Sequence, residues 1–134
     1  MEPTTEKTLR ALIAVAWADG RVGDDEKEVI ETLIDAYGLE EAQADGIRKW
    51  AATRQTLEQI DLKGLEEVDR ILLLQQAVFV TYIDGVQTDK ELEILRDLAQ
   101  RLELENSRAT ELIKATTARA KARYEEERSA PVSS

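Results

Sequence analysis

The side chains best equipped for chemistry in this sequence are carboxylates, and they recur in a pattern. Asp19-Gly20 is followed by Asp24 and Glu26, and Asp84-Gly85 is followed by Asp89 and Glu91. Hard cations such as Ca²⁺ or Mg²⁺ need several oxygen ligands converging on one point, and a neighbouring glycine lets backbone carbonyls approach closely. A divalent-cation site built from Asp19, Asp24, Glu26, Asp84, Asp89 and Glu91 is therefore one reading. The spacing is not that of an EF-hand loop, which alternates its acidic ligands around a mid-loop glycine and closes with a glutamate further on. The same residues have a second explanation. Asp-Gly stops a helix and turns the chain, and Glu26 and Glu91 fall where an acid at the third helical position satisfies a cap and the helix dipole. The sequence leaves both readings open.

What is missing narrows the chemistry further. The chain has no cysteine and no histidine, so it offers no thiolate nucleophile, thiolate zinc site, imidazole base or Ser-His-Asp triad. Paired carboxylates could still act as acid and base, but nothing else in the chain supports catalysis, and a non-enzymatic protein is expected. No cofactor is implied beyond a hard cation.

Charge is unevenly spread. The formal net charge is −10, which opposes general nucleic-acid binding because polyanions are repelled. Between Asp19 and Asp45 ten acids stand against Arg21 and Lys27, whereas between Arg108 and Arg123 five basic residues stand against Glu111 alone. Arg119, Lys121 and Arg123 in the basic segment are candidates for contact with a protein partner or an anionic membrane surface. The alternative is a pair of solvated helix faces.

The elements that would position these residues are helices. Hydrophobic residues make up 43% of the 134 and charged residues 34%, with two prolines and six glycines; good helix formers dominate. Thr5 is read as the cap of a first helix bearing Leu9, Leu12, Ile13 and Trp17. A second opens at Gly23-Asp24-Asp25-Glu26 and closes at Gly38, with Leu39 placed to fold back on it. A third spans about Glu40 to Arg54, and a short turn lies near Leu57 and Ile60. The fourth runs from Leu65 with Val68, Ile71, Leu72, Val78, Phe79 and Tyr82 as its apolar pattern. Thr88 and Glu91 form a capping box that opens a fifth helix, and Asn106 or Ser107 caps a sixth. Residues 1–128 are read as a single domain and 129–134 as a disordered tail.

Aligned at an offset of 65, residues 14–39 (AVAWADGRVGDDEKEVIETLIDAYGL) match residues 79–104 (FVTYIDGVQTDKELEILRDLAQRLEL). Trp17 pairs with Tyr82, Leu33 with Leu98, and Leu39 with Leu104. The expected fold is all-α: a compact bundle of about six helices built from two duplicated helix–turn–helix hairpins with pseudo-twofold symmetry. Leu12, Trp17, Leu33, Phe79, Tyr82 and Leu98 are expected to share its core.

Ala18-Asp19-Gly20-Arg21-Val22 with Glu26, repeated as Ile83-Asp84-Gly85-Val86 with Asp89 and Glu91, resembles the TerB-like domain family. That family includes the tellurite-resistance TerB proteins and the N-terminal region of DjlA-type membrane co-chaperones. The resemblance covers roughly Leu9 to Leu104, and the second copy departs from the first by placing Gln87 where the first has Val22. It implies a bacterial interaction or adaptor domain in stress response, near membrane proteins, with acidic turns suspected of binding metal. The N-terminus does not read as a signal peptide, and no apolar run is long enough to span a bilayer. A cytoplasmic location, or a peripheral one at the inner membrane, is expected, with a protein partner that is itself membrane-associated as one option.

Overall fold

Proline at the first position of a helix loses nothing, since its missing N–H would have no intrahelical acceptor there. Helix α1 accordingly runs Pro3–Ala16 in the computed structural model, which describes residues 3–17, 24–82 and 88–129. Thr5, expected as the cap, lies inside this helix. The chain continues through α2 (Asp24–Ala36), α3 (Glu41–Ala51), a 3₁₀ turn (Leu57–Gln59), α4 (Glu67–Thr81), α5 (Asp89–Arg101) and α6 (Asn106–Ser129). The fold is all-α, with no strand among the described residues.

Helix α1 holds the bundle together because its second half, residues 11–16, is apolar all round, the pattern of a helix buried on every side. Leu9, Ile13 and Trp17, four residues apart, face α2 and α3 and form one cluster with Ile30, Ile34, Ala44 and Ile47. Ala11, Leu12, Ala14 and Val15 face the other way, into a larger cluster with Leu73, Leu74, Ala77, Val78, Leu95 and Leu98. The core is thus divided by α1. Leu12 and Leu98 share one half, Trp17 belongs to the other, and half-buried Leu33 packs against both. Phe79 and Tyr82 are only half-buried, so the single shared core expected from the pairing does not form.

Two other helix starts and faces differ from expectation. Helix α6 already includes Asn106, and the carbonyl of Glu105 accepts from the Ala109 N–H at 2.8 Å; neither Asn106 nor Ser107 is the cap. Helix α4 buries Leu73, Leu74, Ala77, Val78 and Thr81, while Val68 and Leu72, read as part of its inward pattern, are 65% and 50% exposed. The physical reason is that Ile71 to Leu74 are consecutive apolar residues. A helix turns ~100° per residue, so they cannot all face one side.

The matched ends of α2 and α5 do share local geometry. Gly38 has φ +60° and Glu103, at the offset of 65, has φ +58°. The Gly38 N–H donates to the Asp35 carbonyl at 3.1 Å, and the Glu103 N–H to Gln100 at 3.0 Å. At the second end the Leu104 N–H also reaches the Ala99 carbonyl at 3.1 Å, which completes a Schellman motif. Leu39 and Leu104 then fold back on their own clusters.

Candidate functional site

Thr88 sits just before α5 in an extended conformation, where its side chain can reach forward into the first turn. Its Oγ1 accepts from the Glu91 N–H at 3.1 Å, and the Glu91 carboxylate accepts from the Thr88 N–H at 3.0 Å. The reciprocal pair satisfies donors that a helix N-terminus otherwise leaves open. Glu91 is therefore engaged in capping, while Asp89 is exposed at the first position of the helix. Asp24 and Glu26 belong to the first turn of α2; their side chains, together with Asp19 and Asp84 entirely, lie outside the described residues. Among the described residues, no group of three or more acids stands close enough to hold a metal ion.

Arg119, Lys121 and Arg123 are all exposed on α6, but the helix separates them. The buried line of α6 runs through Ala109, Ile113, Thr116 and Ala120. Arg119 and Arg123, four apart, share one flank of that line, and Lys121 falls on the other, roughly half a turn away at ~100° per residue. Arg108, on the same flank as Arg119, pairs with Glu67 of α4. Helix α6 thus packs against α4.

One face of α4 differs from the sequence pattern. At ~100° per residue Val68, Leu72 and Phe79 fall within ~40° of one another, roughly opposite Leu73, Ala77 and Thr81. Val68 and Leu72 are the large hydrophobic side chains most open to solvent among the described residues. Scattered exposed apolar residues need no explanation, but these lie in line on a helix whose other side is core. Tyr37, at the end of α2, covers one edge of α4 by donating from its hydroxyl to Gln76 at 3.2 Å. Burial holds its phenol above the usual tyrosine range. The signal available in the sequence was the run Ile71–Leu74, too apolar for one face.

Two clefts open on the sides of the bundle. One, of about 340 Å³, is bordered by Glu6, Arg10 and Trp50. The Arg10 guanidinium lies 4.6 Å over the Trp50 ring and pairs with Glu6 at 2.9 Å. The Trp50 ring is half-buried, with this guanidinium covering its open face. The other, of about 540 Å³, lies between the 60–65 loop and the corner joining α5 to α6, with Lys63, Arg70 and Arg101 on its wall.

Comparison with protein-family models, curated proteins and solved structures finds no match.

Proposed function

We propose that this chain is a non-enzymatic helical interaction module, an adaptor of the TerB-like kind in a stress-response or membrane-associated assembly, and that it receives its protein partner on the outer face of α4. The observation that carries the proposal is that α4 is apolar on two opposite sides, one packed in the core and the other open at Val68 and Leu72. A helix that is apolar all round is normally buried all round, and an aligned exposed stripe fits a protein-contact surface. The missing cysteine and histidine support a binding role over a catalytic one. Arg119 and Arg123 on the neighbouring helix would add charge at the rim, where it steers encounter more than it holds the complex. No helix among the described residues is long and apolar enough to cross a membrane.

The test is quantitative affinity capture from the source cells with three baits: wild type, Val68→Ser/Leu72→Ser, and Arg119→Glu/Arg123→Glu. The proposal expects one set of proteins to be lost with the serine pair and weakened, in a salt-dependent way, with the charge reversal. Equal recovery by all three baits, with folding of each verified by circular dichroism, would rule out the α4 face.

A further inference from the structure

The outer residues of α4 have a spacing of their own. Val68, Leu72, Gln75, Phe79 and Tyr82 follow one another at intervals of four, three, four and three residues. At ~100° per residue they fall within an arc of about 80°, opposite the buried Leu73, Ala77 and Thr81. Alternating steps of four and three make a seam that stays turned toward a neighbouring helix crossing at a shallow angle. Val68 and Leu72 are 65% and 50% exposed, and the other three are half-buried. From Ile71 to Tyr82 the chain carries no charged residue, although 34% of the sequence is charged. Covering this seam therefore desolvates almost no charge.

The seam runs between two helices of opposite charge. On one side Gln76 accepts from the Tyr37 hydroxyl of α2 at 3.2 Å; on the other Glu67 pairs with Arg108 of α6. Helix α2 belongs to the acidic stretch between Asp19 and Asp45, and its Glu28 and Asp35 are exposed. Helix α6 carries the basic stretch between Arg108 and Arg123, with Arg119 exposed on the same flank as Arg108.

Two copies of this surface can meet seam to seam in two ways. With the α4 helices antiparallel, α6 lies over α6 and α2 over α2, which sets like charge against like. With the α4 helices parallel, about a two-fold axis running along the seam, α6 of each copy lies over α2 of the other. Opposite charges then meet twice, which favours encounter in that orientation. We propose that the occupant of the outer face of α4 is a second copy of this chain, docked with the two α4 helices parallel; this rests on the reading of that face as a contact surface. Such a contact is isologous. Each seam residue meets its own counterpart, and Gln75 at the middle can both donate to and accept from its copy.

The test is sedimentation equilibrium of the purified full chain across protein concentration and salt, combined with cross-linking. Wild type should show a monomer–dimer equilibrium whose Kd rises as salt is added. Leu72→Glu sets two carboxylates against each other and should raise Kd about a hundredfold, with circular dichroism confirming its fold. Because the chain has no cysteine, Val68→Cys is a single reporter of orientation. Parallel docking brings position 68 against position 68 of the copy, so oxidation with diamide should give a disulfide-linked dimer. Antiparallel docking brings it against position 82, so Val68→Cys mixed with Tyr82→Cys would give mainly the mixed disulfide. A wild type that stays monomeric at every concentration, a Leu72→Glu chain that dimerises as well as wild type, or a predominant mixed disulfide overturns the proposal. Where the chain is monomeric and Val68→Ser/Leu72→Ser still loses captured proteins, self-association alone has failed and the α4 face serves a different protein.

Discussion

The two matched hairpins start from similar sequences and are used differently by the fold. In the first, Trp17 is buried and its Nε1 donates to the Ala51 carbonyl at 3.1 Å, tying α1 to the end of α3. In the second, Tyr82 at the matched position is half-buried at the end of α4. Leu98 is wholly buried while its counterpart Leu33 is half-buried between the two clusters. Matched sequence therefore produced matched local endings, at Gly38 and Glu103, but unequal burial. The difference arises from what each hairpin packs against: the first has the short α3, and the second has the long α6 laid along α4.

The largest effect that would break this comparison is in the core. Leu98→Ala should cost about 3–5 kcal/mol in urea unfolding, because no neighbour can collapse fully into the space, and Leu33→Ala clearly less. Equal costs would mean that the two positions are equivalent after all. Next, Trp17→Phe removes the partner of a buried carbonyl and should cost about 1–3 kcal/mol, whereas Tyr82→Phe should stay within about 0.5 kcal/mol. A reversal of that order would place the anchoring aromatic in the second hairpin.

Thr88→Ala tests the acids as caps. It should lower stability by about 0.5–2 kcal/mol irrespective of divalent cations. A wild-type melting temperature that rises with millimolar Ca²⁺ or Mg²⁺, and loses that rise in Asp19→Asn or Asp84→Asn, would instead assign the turns to a cation. The helix ends offer a finer contrast. Gly38→Ala should destabilise by about 1 kcal/mol, since a side chain is disfavoured at positive φ. Glu103→Gly should stabilise by up to about 0.5 kcal/mol, because relief of the left-handed glutamate slightly outweighs the extra freedom of the unfolded chain.

The smallest contrast concerns Tyr37, whose counterpart at the offset is Leu102. Burial raises the Tyr37 phenol above its usual value of 10.0. The folded state thus favours the protonated phenol, and this contribution is present below pH 10.0 and lost as pH rises through the folded value. Tyr37→Phe should flatten the alkaline limb of the stability profile, and an unchanged limb would show that the phenol is not protected.

Much of the local structure was legible from the residues themselves. The helical class, the Thr88–Glu91 capping box, the Gly38 ending and the turn at Leu57 depend on neighbours within a few positions, where propensity and hydrogen bonding act directly. The acids of the paired turns were legible as a pattern, but capping and cation binding use the same residue types at the same spacing. The cleft between the 60–65 loop and the α5–α6 corner was not legible, because residues 60–65, 70 and 101–103 meet only when α4 and α5 have packed.

Helix α4 marks the boundary most clearly. The sequence by itself determined that residues near 67–81 would be helical and strongly apolar, since that follows from composition and the helical repeat. Which apolar side turned inward was decided by tertiary structure alone. Val68, Leu72 and Phe79 make one arc and Leu73, Ala77 and Thr81 the other, and burial of apolar area rewards either. Only the docking of α1 on one side of α4 and α6 along another chose between them, leaving Val68 and Leu72 at the surface.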